Sequence, residues 1–254
     1  MTLKNNKKAS IEGDKYYTPL WCVQQCIDYV LPLMSDEPFK TILEPGAGLG
    51  AFLKPLRAAY PNALIHANDI DQTVGPWSDV SESFFLDYLN VGMPPLDGGK
   101  RYDLVVGNPP FTFAMEFISK SLELSEAVVF ILRQGFMSSA ERSRFFREHK
   151  PSVVRIISAR PSFTPDGETD SADYCWIGWK RGFTGKTDLD WLPELPKEVR
   201  LAPYFPPDVV AAAKRAKVLR DAERKLKKRA ELKAQEEAQD AVVASAQEAG
   251  VEIT

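Results

Sequence analysis

Short apolar runs alternate along this chain with stretches in which apolar positions recur every three or four residues. Lys40–Leu43, Ala63–Asn68, Ser83–Leu86, Tyr102–Gly107, Ala127–Arg133, Val153–Ala159 and Asp173–Lys180 read as seven strands. Thr112–Leu124 and Ser139–His149 read as helices, a further helix opens after Gly50, and Cys22 and Cys26 share a helix ahead of the first strand. Such alternation predicts an α/β fold, a mostly parallel sheet with helices on both faces. The pattern stops near Lys180. Asp190–Pro207 is rich in proline and aromatic residues and reads as a strap or linker, and from Asp208 the chain turns to Ala, Lys, Glu and Arg, a composition that favours helix. The expected organisation is one domain over 1–182, a Pro-rich strap or linker over 183–207 and a charged helical tail over 208–254.

The carboxyl ends of the predicted strands carry the polar residues of interest. Ile42-Leu43-Glu44-Pro45-Gly46-Ala47-Gly48-Leu49-Gly50 is a strand followed by a glycine-rich turn. Glycine permits positive φ and close approach of backbone to a ligand, and dinucleotide sites use a similar turn. Glu44 distinguishes the two cases: a carboxylate there repels a pyrophosphate and suits the ammonium group of a methionine moiety, which favours S-adenosylmethionine over NAD. Asp69 stands at the end of the second strand, where an acid can take both ribose hydroxyls. Asp87 follows the third strand, placed to accept from the amino group of the cofactor adenine. Either acid taken alone is as readily a solvated loop carboxylate or a helix cap.

After the fourth strand comes Asn108-Pro109-Pro110-Phe111. An exocyclic amine on adenine is a poor nucleophile because its lone pair is delocalised into the ring. Two acceptors aimed at its N–H bonds, the Asn108 side-chain carbonyl and a backbone carbonyl such as that of Pro109, favour the pyramidal nitrogen of the transition state. Pro109 and Pro110 fix φ and lack N–H donors, so the carbonyl directions are set in advance. Phe111 offers a face on which a base rotated out of its helix can stack. A Pro-Pro turn that merely ends a strand is the plain alternative.

Taken in this order, the glycine turn with its leading acid, Asp69, Asp87 and the Asn-Pro-Pro-Phe tetrapeptide resemble the S-adenosylmethionine-dependent adenine-N6 DNA methyltransferases. Tyr16-Tyr17-Thr18-Pro19, ahead of the glycine turn, is similar to the segment that in this family closes over the methionine end of the cofactor. The resemblance covers about the first 180 residues. It implies a Rossmann-like methyltransferase fold whose seventh and last strand runs antiparallel. It also implies cofactor contacts by Tyr17, Thr18, Glu44, Gly46, Gly48, Asp69 and Asp87, and target-base contacts by Asn108, Pro109 and Phe111. The antiparallel strand would bring the loop from Arg160 to Ala172 to the same sheet edge as Asn108, where it would touch nucleic acid or gate the site, a plain surface connection being the equal alternative. Gly135 and Phe136 are further candidates for the base pocket. The same tetrapeptide chemistry also suits amino groups of RNA bases and of protein glutamine, or a methyltransferase-like subunit that binds nucleic acid without catalysing.

Composition narrows the partners. The chain has 254 residues, 44% hydrophobic and 26% charged, with a net charge of −3, enough for one substantial core. Neither an apolar run of bilayer length nor a signal peptide is evident, so a cytoplasmic protein is expected. The 3 cysteines and 2 histidines make no metal-ligand pattern, and no metal is expected. With an acidic balance overall, any DNA contact must be a local patch. Arg133, Arg142, Arg144, Arg147, Arg155 and Arg160 are candidates, as is the tail segment from Lys214 to Lys233, with ten basic and three acidic residues. The tail could equally be a solvated helix or contact a protein partner.

Overall fold

The computed structural model describes residues 17–165, 167–169, 171–200 and 207–248. In chain order the elements are α1 (Leu20–Gln25), β1 (Thr41–Glu44), α2 (Leu53–Ala59), β2 (Leu64–Asn68), β3 (Glu82–Phe84), β4 (Tyr102–Gly107), α3 (Ala114–Leu124), β5 (Ser125–Arg133), α4 (Ala140–Glu148), β6 (Val153–Ile156), β7 (Tyr174–Lys180), β8 (Asp188–Trp191), α5 (Lys197–Arg200) and α6 (Pro207–Glu248). A π-turn over Cys26–Val30 and a 3-10 turn over Leu31–Leu33 continue α1. The strands form a single sheet in the order β3-β2-β1-β4-β5-β7-β6-β8.

Parallel pairing joins β3, β2, β1, β4 and β5. The order reverses between β1 and β4, which makes the carboxyl ends of those two strands the switch point where such sheets bind ligands. β7 is antiparallel to both neighbours, in register from Ala127 opposite Lys180 to Arg133 opposite Tyr174. That is the Rossmann-like methyltransferase fold, with the antiparallel strand where the resemblance put it.

The strand count needs correction: among the described residues there are eight, not seven. Asp188–Trp191, within the segment read as a strap, pairs in parallel with β6 at the sheet edge. All four of its residues are exposed, so it carries none of the apolar alternation by which a half-buried strand is recognised. Its attachment comes from the backbone ladder and from the buried Arg155, whose guanidinium reaches the Asp188 backbone carbonyl at 3.0 Å and pairs with its carboxylate.

Both faces of the sheet are covered. Trp176 and Trp179 of β7 point to opposite sides. Trp176 packs edge-on against Phe52 in one apolar cluster with α1 and α2, and Trp179 stacks on Phe146 in the other, with α3 and α4. The central strand β5 is buried along nearly its whole length, as a strand covered on both faces must be. Cys22 and Cys26 are fully buried, and burial raises both thiols well above their ordinary pKa. They behave as small apolar side chains.

The chain divides into two compact units, one through Tyr204 and one from Phe205. In the second, α6 runs from Pro207 to Glu248 as one helix. No described helix is long and apolar enough to cross a membrane.

Candidate active site at the switch point

β1 delivers Glu44 to the carboxyl edge of the sheet, and the chain then turns through Pro45–Phe52 before α2 begins at Leu53. Gly48 and Gly50 take positive φ, +51° and +78°. At Gly50 a side chain is excluded as well, since a Cβ would meet Trp77 Cδ1 at 2.7 Å. The turn is held by groups on neighbouring strand ends. The Ala47 amide donates to the Asn68 carbonyl at 2.9 Å and the Gly48 amide to Asp69 Oδ2 at 2.8 Å. Trp77 Nε1 donates to the Gly48 carbonyl at 3.1 Å.

A cavity opens against this turn. It is lined by Tyr17, Thr18, Glu44, Gly46, Ala47, Gly48, Leu49, Ala51, Phe52 and Asn108. Six of the residues expected at the site therefore meet in one place from three separate stretches of chain. The Asn108 side-chain carbonyl oxygen is buried there, Pro109 behind it is buried, and Pro110 is partly so.

Glu44 is the electrostatic centre of the cavity. Its side chain is 2% exposed. Burial, and secondarily the nearby Asp69 carboxylate, raise its pKa well above the usual carboxylate range. Its Oε2 has no hydrogen-bond partner among the described residues. A buried carboxylate oxygen left unpaired is costly, and a cationic ligand in the cavity would satisfy it. The donor set thus fits an ammonium-bearing cofactor such as S-adenosylmethionine and would oppose a phosphate.

Asp69 and Asp87 stand elsewhere. Asp69 lies beside the cavity rather than on its lining and accepts backbone amides with both oxygens, Gly48 on Oδ2 and Asp71 on Oδ1 at 2.9 Å. Asp87 comes three residues after β3 ends and closes a turn, accepting from the Leu89 and Asn90 amides on Oδ1 and from Asn90 Nδ2 on Oδ2. The structure thus gives each a bracing role. Each retains acceptor capacity for a ligand.

Asn68 carries a role that the sequence reading missed. Fully buried, it donates from Nδ2 to the Pro45 and Leu86 carbonyls, both at 3.1 Å, and accepts from the Leu86 amide at 2.9 Å. One side chain ties the glycine turn to the loop after β3. The available signal was a polar residue closing the strand, directly ahead of Asp69.

On the other side of Asn108, Phe111 opens a 3-10 turn and packs against Phe163 and Tyr174, at centroid distances of 6.3 and 5.7 Å. The Arg160–Ala172 loop reaches the site as expected of its topology: Phe163 is buried and its carbonyl accepts from the Tyr17 amide at 3.0 Å. Phe136 is buried in the core beneath the Arg142 guanidinium, and Gly135 is exposed. Of the arginines proposed as a DNA patch, Arg155 does not belong, being buried and paired with Asp188. Arg160 pairs with Asp173 at 2.8 Å, Arg147 bonds Ser143 at 2.9 Å, and Arg144 is exposed. Tyr16, Asp166 and residues 201–206 of the expected strap lie outside the described residues.

The fold is the Rossmann-like methyltransferase fold, and the chain is similar to proteins that share it. The described core superposes with a TM-score of 0.54, at 14% identity, on a Listeria monocytogenes protein assigned as a class I S-adenosylmethionine-dependent methyltransferase, over 79% of this chain and 75% of that one. A type I restriction-modification methyltransferase subunit from Streptococcus thermophilus matches with a TM-score of 0.50 at 14% identity, over 67% of this chain and 46% of that one. In sequence the chain is 28% identical over 109 residues to Type II methyltransferase M.CvrRI of Paramecium bursaria Chlorella virus XZ-6E, covering 42% of this chain and 26% of the relative. It is 25% identical over 126 residues to Type II methyltransferase M.AccI of Acinetobacter calcoaceticus, covering 46% and 22%. The match spans about a quarter of the length of these curated relatives. No protein-family model matches the chain.

Proposed function

We propose that this chain transfers a methyl group from S-adenosylmethionine to the N6 amino group of adenine in duplex DNA, with the target base rotated out of the helix. The observation that carries this reading is that Glu44 and Asn108, on separate strand ends, line one cavity with the glycine turn and the Tyr17-Thr18 segment. A group suited to an ammonium and a group suited to an exocyclic amine thereby face the same space. The relatives' names, type II methyltransferases and a restriction-modification subunit, support methyl transfer to DNA.

When bound, the cofactor supplies an electrophilic methyl group on sulfonium and leaves as S-adenosylhomocysteine. The chain supplies alignment. Glu44, as carboxylate, pairs with the ammonium group. Tyr17 and Thr18 close the methionine end, and Gly46 and Gly48 give the backbone its close approach. Asp69 and Asp87 offer their remaining lone pairs to the ribose hydroxyls and the adenine amino group of the cofactor. Asn108 Oδ1 and the Pro109 carbonyl accept the two N6 hydrogens, turning the nitrogen lone pair towards the methyl carbon. Pro110 keeps that backbone rigid, and Phe111 stacks on the base. The N6–CH3 bond forms as the CH3–S bond breaks, the surplus N6 proton is then lost to solvent, and the in-line attack requires no metal and no covalent enzyme intermediate.

The test is transfer of labelled methyl from S-adenosylmethionine to unmethylated duplex DNA, RNA and protein pools in parallel. Label in the DNA pool, recovered as N6-methyladenine, is expected. Label confined to RNA or protein would replace the substrate while keeping the site. Cofactor binding without label in any pool would favour a non-catalytic subunit.

A further inference from the structure

β2 and β3 run parallel, yet the connection between them, residues 69–81, contains neither helix nor strand. Parallel neighbours are ordinarily joined by a crossover helix. Here the connection instead carries Trp77 back to the glycine turn, where its Nε1 donates to the Gly48 carbonyl at 3.1 Å. Asp69, the first residue of the same connection, takes the Gly48 amide on Oδ2 at 2.8 Å. One irregular segment therefore holds both backbone polar groups of Gly48.

The surroundings are shaped to admit the indole. A Cβ on Gly50 would meet Trp77 Cδ1 at 2.7 Å, and one on Gly75 would meet Trp77 Cε3 at 3.2 Å and Phe85 Cζ at 3.0 Å. The indole stacks on Phe85, with centroids 5.8 Å apart and an interplanar angle of 21°, and the Trp77 amide donates to Ser83 Oγ at 3.4 Å. Phe85 stands two residues ahead of Asp87. A single side chain thus joins the turn around Gly48 to the segment that carries the third acid. Trp77 itself stands behind the turn rather than on the cavity lining.

A turn with glycines at 46, 48 and 50 has unusual backbone freedom to lose. Ordering it only when a ligand arrives would subtract from affinity, whereas a turn ordered beforehand avoids that cost. The two hydrogen bonds on Gly48 and the packed indole supply that order.

We infer that Trp77 is a positioning residue for the cofactor: its indole fixes the Gly48 carbonyl and packs the glycine turn towards Phe85, so that the turn is set before S-adenosylmethionine binds. This inference rests on the proposed S-adenosylmethionine site and not on the identity of the methyl acceptor.

The experiment uses the full chain and S-adenosylhomocysteine, without DNA. Calorimetric affinity, hydrogen exchange of the glycine-turn amides with and without ligand, and thermal melting are measured for wild type, Trp77→Phe and Gly50→Ala. Trp77→Phe keeps a ring for Phe85 but loses the N–H, and Gly50→Ala drives a Cβ at the indole while Trp77 remains. In Trp77→Phe, affinity is expected to fall by about two- to tenfold, the worth of one hydrogen bond, with melting lowered by no more than about 4 °C. Exchange at the turn should be slow in the free wild type and fast in the free variant, and slow again once ligand is bound. Gly50→Ala should give the same pattern by a second route. Wild-type affinity and wild-type exchange in the folded variants, whatever their melting temperatures, would overturn the role of Trp77 alone. A wild type that does not bind S-adenosylhomocysteine would overturn the cofactor reading and this inference with it. The expected variant effects beside a wild type that methylates no DNA would overturn the substrate and uphold the role of Trp77.

Discussion

The backbone amide of Gly48 donates to Asp69 Oδ2 at 2.8 Å, so the acid at the end of β2 holds the glycine turn in shape before any ligand arrives. Its other oxygen takes the Asp71 amide. Asp69 therefore has a structural duty as well as the proposed ribose contact. Asp69→Asn would turn an NH2 group towards one of those donors, and Asp69→Ala would leave both unaccepted. Each is expected to lower stability by ~1–2 kcal/mol and to weaken S-adenosylhomocysteine binding by roughly tenfold or more. Calorimetric titration beside thermal melting checks both effects. A loss of affinity with an unchanged melting temperature would restrict Asp69 to ligand contact.

Asn68 is the fully buried tie between that turn and the loop after β3. Asn68→Ala would orphan the Leu86 amide and two carbonyls, at a cost of ~2–4 kcal/mol. Asn68→Asp is expected to be at least as damaging at neutral pH, because it sets a carboxylate oxygen against a carbonyl. Denaturant midpoints measure the difference. A neutral Asn68→Ala substitution would show that the turn holds without this tie.

Glu44 makes folding and binding depend on pH in a specified direction. Its pKa is raised in the folded chain, first by burial and then by Asp69. The folded state therefore binds more protons than the unfolded state between the unfolded value, about 4.3, and the folded value. This contribution to stability is fully present below the unfolded pKa and is lost as pH rises through the folded one. Glu44→Gln should flatten that limb of the pH–stability curve and weaken cofactor binding by roughly 10- to 100-fold. Calorimetry in buffers of different ionisation enthalpy should detect proton release when cofactor binds within the same window. Equal affinity in wild type and Glu44→Gln would remove Glu44 from the ammonium site.

His66 shifts the other way. Burial lowers its pKa against the opposing pull of Glu82, and its Nδ1 lies 2.7 Å from the Tyr102 hydroxyl. The neutral ring is the folded form, so stability should fall as pH drops below about 6.5. His66→Gln should remove that dependence in a pH series of thermal melts. An unaltered pH series in His66→Gln would assign the dependence to another group.

What the sequence made legible follows the strength of its local signals. β4 and β5 are buried apolar runs and were found within a residue or two, and Asn-Pro-Pro-Phe could be located after β4 because the strand was. β8 was hidden because its exposed residues have no buried face to reveal the period. The convergence of Tyr17, Thr18, Glu44 and Asn108 on one cavity was implied by the resemblance and not by any local signal at Tyr17 and Thr18. The partners of Asp69 and Asp87 were not anticipated, since backbone amides satisfied by a side chain leave no mark on residue type. The seat of Trp77 on the glycine turn is likewise a relation between residues on separate loops, 29 positions apart in the chain.

The most direct test of the central claim compares wild type and Asn108→Ala on unmethylated duplex DNA, with nucleoside mass spectrometry for product and calorimetry for cofactor binding. The account predicts N6-methyladenine from the wild type, turnover lowered by roughly 10²- to 10³-fold in Asn108→Ala, and cofactor affinity nearly unchanged. Full activity in Asn108→Ala, or a wild-type product other than N6-methyladenine, would contradict it.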